Sequence, residues 1–84
     1  MFKIEYARGV AKDLKGLPKE IQKKAFEAIE KVLAEDPFAG KPLAGEFKGL
    51  WKFRIGDYRI VYTVEKARLV ILVLRLRHRK DVYR

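Results

Sequence analysis

The chain has 84 residues, 49% of them hydrophobic, with 20 Lys and Arg against 11 Asp and Glu and no cysteine. This length predicts one domain over residues 1–84, and the lack of cysteine excludes disulfides, thiolate metal sites and thiol nucleophiles. The longest apolar run, residues 69–74, is far shorter than the roughly 20 residues of a membrane helix, and the first residues lack the apolar stretch of a signal peptide. We therefore expect a cytoplasmic protein with no membrane partner.

The net charge of +9 is unevenly distributed along the chain. Residues 1–40 carry eight Lys and Arg against seven Asp and Glu, whereas residues 41–84 carry twelve against four. Segregated positive charge predicts a surface that faces a polyanion, with nucleic acid favoured. An acidic protein partner is the alternative, and one surface can serve both.

The N-terminal half predicts a strand followed by a helical hairpin. Apolar and charged residues alternate over residues 2–6, which is typical of a half-buried strand. A short helix is predicted over residues 8–15, and a second over residues 18–35 before Asp36-Pro37 ends it. The second helix has its apolar face at Ile21, Ala25, Ala28, Ile29, Val32 and Leu33. Residues 36–45 are rich in turn formers and predict a loop.

A β-hairpin is predicted from two alternating segments around Gly56-Asp57. A II′-type turn at this pair places Arg54 opposite Arg59 and Trp51 opposite Tyr62. All apolar cross-strand pairs then share one face, while Lys52 joins the two arginines on the other. This agreement supports the register, because a slip of one residue would mix both faces. We expect Trp51 to belong to the core, with base stacking as the alternative.

Residues 69–76 form a nearly continuous apolar run, which predicts a strand covered on both sides. The connection near residues 65–68 decides where the next arginines point. An odd-length loop brings Arg75 and Arg77 onto the face of Arg54 and Arg59, and an even-length loop turns them away. We expect the odd length.

The opposed arginines of the hairpin suggest an anion site. Like charges directly opposite one another are destabilising, so Arg54 and Arg59 carry a cost unless an anion lies between them. Arginine suits bidentate phosphate contact, although a solvated face with splayed arginines is the alternative. The basic half has its carboxylates scattered, which predicts neither a metal site nor a cofactor. Phosphodiester cleavage here would use the substrate's own 2′-hydroxyl, which restricts the substrate to RNA.

The segment Gly49–Tyr62 (GLWKFRIGDYRIVY) and the ending His78–Tyr83 (HRKDVY) resemble the RelE/ParE superfamily of toxin–antitoxin toxins. The resemblance covers the whole chain and implies an α+β fold: an N-terminal strand, a helical hairpin, then antiparallel hairpins, with the helices on one face of the sheet. It also implies an acidic RelB-like antitoxin as partner. RelE-type toxins cleave mRNA in the ribosomal A site without metal and leave a 2′,3′-cyclic phosphate, whereas ParE-type toxins inhibit DNA gyrase.

The resemblance also implies roles for five residues as a catalytic set. Arg54 and Arg59 would hold the scissile phosphate, and Arg79 would stabilise the leaving 5′-oxygen. Tyr83, or Lys52 with Arg54, would assist deprotonation of the 2′-hydroxyl. Arg54 stands where some members have lysine, and a guanidinium rarely gives up its proton. The identity of the general base therefore stays open.

These residues favour one function over two others. We expect a metal-independent, ribosome-dependent mRNA endonuclease toxin, with a gyrase-inhibiting toxin as the runner-up and a plain RNA-binding domain third. The basic tail supplies further predicted RNA contacts at Arg75, Arg77, His78 and Lys80.

Overall fold

The computed structural model describes residues 2–78 and confirms the predicted α+β architecture. Its elements are β1 (Lys3–Tyr6), α1 (Val10–Lys15), α2 (Lys19–Glu27), a π-helical segment (Ala28–Leu33), β2 (Lys41–Pro42), a 3₁₀ turn (Gly45–Phe47), β3 (Trp51–Ile55), β4 (Tyr58–Glu65) and β5 (Val70–His78). The sheet has the order β1-β5-β4-β3-β2. β1 pairs with β5 in parallel, and the other neighbours are antiparallel. Within the described residues, no helix is long and apolar enough to cross a membrane.

The helices pack on one face of this sheet and form the core with it. Val10 of α1 is buried, and Ala25, Ile29 and Leu33 are buried because they repeat at helical spacing along one face of the second helix. They pack against alternate residues of the three long strands: Ile55, Ile60, Tyr62, Ile71, Val73 and Leu76. The opposite face of the sheet carries no helix among the described residues, and Leu72 and Leu74 are only half-buried there. The expected cover on both sides of β5 is therefore wrong.

The second helix is not the uniform α-helix that its periodicity predicts. The N–H of Ala34 donates to the carbonyl of Ile29, 3.1 Å away, which is the five-residue step of a π-helix. This wider turn spaces the residues inside it differently from an α-helix, so Leu33 is buried while Val32 is 41% exposed. The prediction that Val32 lies on the apolar face is wrong for that reason.

The loop predicted over residues 36–45 contains a short strand. Lys41 pairs with Lys52 and Pro42 with Trp51, so β2 forms the last strand at one edge of the sheet. Proline lacks an N–H, and an edge position tolerates this because one side of the strand faces solvent. The loop prediction therefore missed an extension of the sheet.

The hairpin register is confirmed, and the strand after it contains a bulge. Arg54 pairs with Arg59, and Gly56 has a φ of 61°, as the predicted turn requires. Four residues separate the paired Glu65 and Val70, so the odd loop length was wrong. One extra residue in β5 shifts the register between Val61 and Tyr62, and this bulge reverses the alternation beyond it.

Candidate active site

The strand pairing aligns basic residues in two rows on the face of the sheet opposite the helices. The arginine row is Arg54–Arg59–Arg77, on β3, β4 and β5. The lysine row is Lys41–Lys52–Val61–Arg75, on β2 to β5. Directly paired residues point to the same face, neighbouring strands lie about 4.8 Å apart, and the rows are about 7 Å apart along a strand. We call the six charged members of these rows the basic face.

The bulge in β5 is what brings Arg75 and Arg77 to this face. Without the extra residue, the four-residue loop would place Leu76 opposite Arg59 and turn both arginines toward the helices. With it, Arg77 lies opposite Arg59 and Arg75 opposite Val61. The predicted face of the two arginines is therefore confirmed, although the reason is a bulge and not an odd loop. Bulges often re-aim side chains beside functional sites.

A shallow pocket of about 320 Å³ lies where the two rows meet β2. It is lined by Ala39, Gly40, Lys41, Lys52, Phe53, Arg54 and Arg59. The Arg54 side chain is exposed and its Nε donates to the Gly56 carbonyl at 3.0 Å, which holds the guanidinium against the β3–β4 turn. The structure thus brings together the three predicted catalytic residues of the hairpin and adds Lys41.

An acidic side chain meets the other end of the arginine row. β1 pairs with β5 only as far as Val73, so beyond this point helix α1 lies beside the edge of β5. Asp13 of this helix accepts the Leu76 N–H through Oδ2 at 3.2 Å, and its Oδ1 lies 4.0 Å from Arg77 Nε. Sequence reasoning missed Asp13, because its only signal was one acid on an otherwise ordinary helix.

The connection before β2 is held tightly against the site. The buried Tyr62 donates its hydroxyl to the Pro37 carbonyl at 2.8 Å. A Cβ added at Gly40 would collide with the Lys52 carbonyl and lie 2.5 Å from the Tyr62 hydroxyl oxygen. Burial raises the pKa of Tyr62, against a smaller lowering effect of the Gly40 backbone. Gly40 is therefore required by close packing, and it fixes the position of Lys41.

The remaining predicted site residues fall elsewhere. His78 pairs with Tyr58, and the two rings meet edge to face with their centroids 5.3 Å apart. By strand alternation this places His78 on the face opposite Arg77. Its RNA contact stays a prediction, because His78 does not belong to the basic face. The predicted roles of Arg79, Lys80 and Tyr83 concern residues outside the described range.

Trp51 lies on the helix side of the sheet, away from the basic face. Its ring is 6.5 Å from that of Tyr62 and 5.1 Å from that of Phe38, between centroids. It also packs against the buried core cluster. The prediction that Trp51 serves the core is confirmed.

The chemistry available on the basic face is that of cations held on a rigid scaffold. Arg and Lys suit the oxygens of a phosphate and the added negative charge of a phosphoryl transition state. Among residues 2–78, no three His, Asp or Glu side chains form a group suited to hold a metal ion. The basic face is therefore suited to an anion such as a phosphate or a carboxylate.

Known proteins resemble this chain in both fold and sequence. A family model described as the ParE toxin of the type II toxin–antitoxin system parDE matches residues 4–83. Toxin RelG of Mycobacterium tuberculosis is 31% identical over 84 residues, which cover 99% of this chain and 97% of RelG. Toxin RelE of the same organism is 33% identical over 75 residues, covering 88% and 77%. Among solved structures, this chain superposes on a chain of the toxin–antitoxin complex RelBE2 from M. tuberculosis with a TM-score of 0.87 and 28% sequence identity. The match covers 92% of this chain and 96% of the RelBE2 chain.

The fold and the matching family model define a toxin of a type II toxin–antitoxin system. More closely, the chain belongs to the RelE/ParE superfamily, in its RelE-like branch. The superfamily resemblance drawn from the hairpin and the C-terminal motif is confirmed.

Proposed function

We propose that the chain is a metal-independent endoribonuclease that acts in the cytoplasm on mRNA in the A site of translating ribosomes. The observation that carries this proposal is the arginine row, where Arg54, Arg59 and Arg77 lie side by side next to Lys52. Directly opposed guanidinium groups repel one another, and although Asp13 lies 4.0 Å from Arg77 Nε at one end of the row, an anion bound between Arg54 and Arg59 would lower this cost further. A scissile phosphate supplies that anion, and its charge grows in the transition state.

The proposed reaction is an internal transesterification. The 2′-oxygen attacks the adjacent phosphorus, the P–O5′ bond breaks, and the products are a 2′,3′-cyclic phosphate and a 5′-hydroxyl. One proton leaves the 2′-hydroxyl to a general base, and one is delivered to the departing 5′-oxygen. Arg54 and Arg59 hold the phosphate oxygens, and Lys52 lies beside them as a candidate base. Tyr83 as the other candidate base and Arg79 at the leaving oxygen remain proposals from the resemblance.

The proposed protein partner is an acidic RelB-like antitoxin. The similar M. tuberculosis toxin of RelBE2 is found in a complex with its antitoxin. The basic half of this chain, with twelve Lys and Arg against four Asp and Glu, suits an acidic chain that folds on binding. Such an antitoxin would compete with mRNA wherever it covers the basic face.

The test is a primer-extension assay on mRNA bound to translating ribosomes, with native protein and the Arg59→Ala variant. Native protein should produce defined cuts, and Arg59→Ala should lower the cleavage rate by at least about 10²-fold because phosphate stabilisation is lost. Lys19→Ala, an exposed change on the helical side, should cleave like the native protein. Growth arrest with intact mRNA and inhibited gyrase would contradict the proposal and support a gyrase-inhibiting toxin instead. RNA binding without cleavage would favour the plain binding domain.

A further inference from the structure

Lys41 is a basic residue that the structure adds to the predicted site. We propose that Lys41 is a substrate-binding residue of this site, where it contacts the phosphate next to the scissile one as the RNA strand crosses β2. This inference rests on the proposed ribonuclease function and extends it from one phosphate to two. It names a residue that neither the sequence pattern nor the family resemblance singled out.

The position of Lys41 in the sheet supports this role. It pairs directly with Lys52, and both side chains line the same pocket as Arg54 and Arg59. The lysine row lies about 7 Å along the strands from the arginine row, which is close to the step between successive phosphates of an extended RNA strand. A strand with its scissile phosphate on the arginine row therefore brings a neighbouring phosphate toward the β2 end of the lysine row, where Lys41 lies.

The lysine row is interrupted, which separates its two ends. Val61 lies between Lys52 and Arg75 and is only 7% exposed. An uncharged, buried side chain offers nothing to a phosphate, so the β2 end of the row, with Lys41, is separated from Arg75. Among the described residues, β2 is the last strand at this edge of the sheet, and RNA can leave the site over it.

The backbone around Lys41 is fixed on both sides, unlike that of an ordinary loop lysine. On one side, Gly40 packs without spare room against the Lys52 carbonyl and the Tyr62 hydroxyl. On the other, the N–H of the buried Leu43 donates to the Leu50 carbonyl at 2.9 Å. A backbone held in this way is already ordered before binding, so only the lysine side chain loses conformational freedom, which favours a specific phosphate contact.

Two direct readouts follow for a Lys41→Ala variant. Loss of one phosphate contact should raise KM about tenfold and leave kcat nearly unchanged, because the contact does not act on the reacting atoms. The slope of log(kcat/KM) against log[salt] should become less steep by about one. Lys41→Arg should restore most of the affinity, since the charge returns. Lys48→Ala is the matched control, because Lys48 is exposed on the same connection but lies outside both rows.

The deciding experiment removes the charge from the RNA instead. Short mRNAs carrying one uncharged methylphosphonate, at the 5′ or the 3′ neighbour of the scissile phosphate, are cleaved on ribosomes by native protein and by Lys41→Ala. At one of these positions, the methylphosphonate should lower kcat/KM of native protein about tenfold relative to unmodified mRNA. The same change should barely lower kcat/KM of Lys41→Ala, which already lacks the contact. Thermal melting of both proteins should agree within a few degrees.

The outcomes separate this inference from the function on which it rests. If native protein cleaves but Lys41→Ala is as sensitive as native to both methylphosphonates, the Lys41 contact is refuted and the ribonuclease function stands. An equal defect in Lys48→Ala refutes it too, because the effect is then general charge. If native protein cleaves no mRNA on ribosomes, both proposals fall.

Discussion

At the scale of single residues, Asp13 joins the helical half of the molecule to the arginine row. Its carboxylate satisfies a backbone N–H of β5 that lies beyond the end of the β1 pairing, and it lies beside the guanidinium of Arg77. The carboxylate is largely buried, with 14% of its side chain exposed, whereas Arg77 is 39% exposed. The hydrogen bond to Leu76 therefore matters more for stability than the long ion pair, which solvent screens.

Two substitutions of Asp13 should separate these contributions. Asp13→Ala leaves the Leu76 N–H without its acceptor and should cost about 1–3 kcal/mol in the free energy of unfolding. Asp13→Asn keeps an acceptor oxygen and should cost clearly less. Urea unfolding of both variants measures the difference, with Glu27→Ala on the exposed side of α2 as the control. Equal losses in the two Asp13 variants would show that the charge is what counts.

The buried hydroxyl of Tyr62 should make the free energy of unfolding depend on pH. Burial raises the pKa of its hydroxyl, so the folded protein keeps the proton at a pH where the unfolded chain has lost it. The stability that this supplies is present below the unfolded pKa of about 10 and is lost as the pH rises toward the folded value. Tyr62→Phe should be about 1 kcal/mol less stable than native at pH 7, because the bond to Pro37 is gone. The gap should narrow by pH 10.5 in urea unfolding, and a constant gap would contradict the assignment.

At the scale of elements, β2 depends on Gly40. Gly40→Ala introduces a Cβ into the space of the Lys52 carbonyl and the Tyr62 hydroxyl, so the connection must move away from β3. We expect a loss of about 1–3 kcal/mol, as in other overpacked sites, together with weaker RNA cleavage because Lys41 shifts. Gly9→Ala is the control, since a Cβ at that position meets nothing within 4 Å. Thermal melting and the cleavage assay measure the two effects, and a Gly40→Ala protein as stable as Gly9→Ala would refute the close packing.

Elements were predictable from the sequence where local chemistry determines them. The turn at Gly56-Asp57 fixes the hairpin register by itself, so Arg54 and Arg59 could be paired correctly. The bulge in β5 and the π-helical segment could not be predicted, because neither has a local sequence signal comparable to that turn. A pattern of apolar residues carries no mark of one extra residue in a ladder or of a wider helical turn.

At the scale of the whole molecule, the site is assembled from parts distant in sequence. The hairpin supplies Lys52, Arg54 and Arg59, and these could be predicted because they are close along the chain. Lys41 and Asp13 join them only through the sheet edge and the position of α1. Both looked like ordinary surface charges in the sequence. The fold class was predictable, whereas the extent of the basic face required the tertiary structure.

The nature of the basic face also sets a test of where the nucleophile comes from. Lysine and arginine stabilise a phosphate and its transition state, while the 2′-hydroxyl beside the scissile bond is the oxygen already placed to attack. Replacing the ribose 5′ of the cut by 2′-deoxyribose should therefore reduce cleavage on ribosomes by at least about 10³-fold, since effective molarities of oriented groups are large. The same replacement one nucleotide further along should leave most of the rate, which controls for altered binding. Primer extension measures both mRNAs with native protein. Efficient cleavage 3′ of the deoxyribose would mean that the nucleophile is not the substrate's own hydroxyl, and the transesterification mechanism would be wrong.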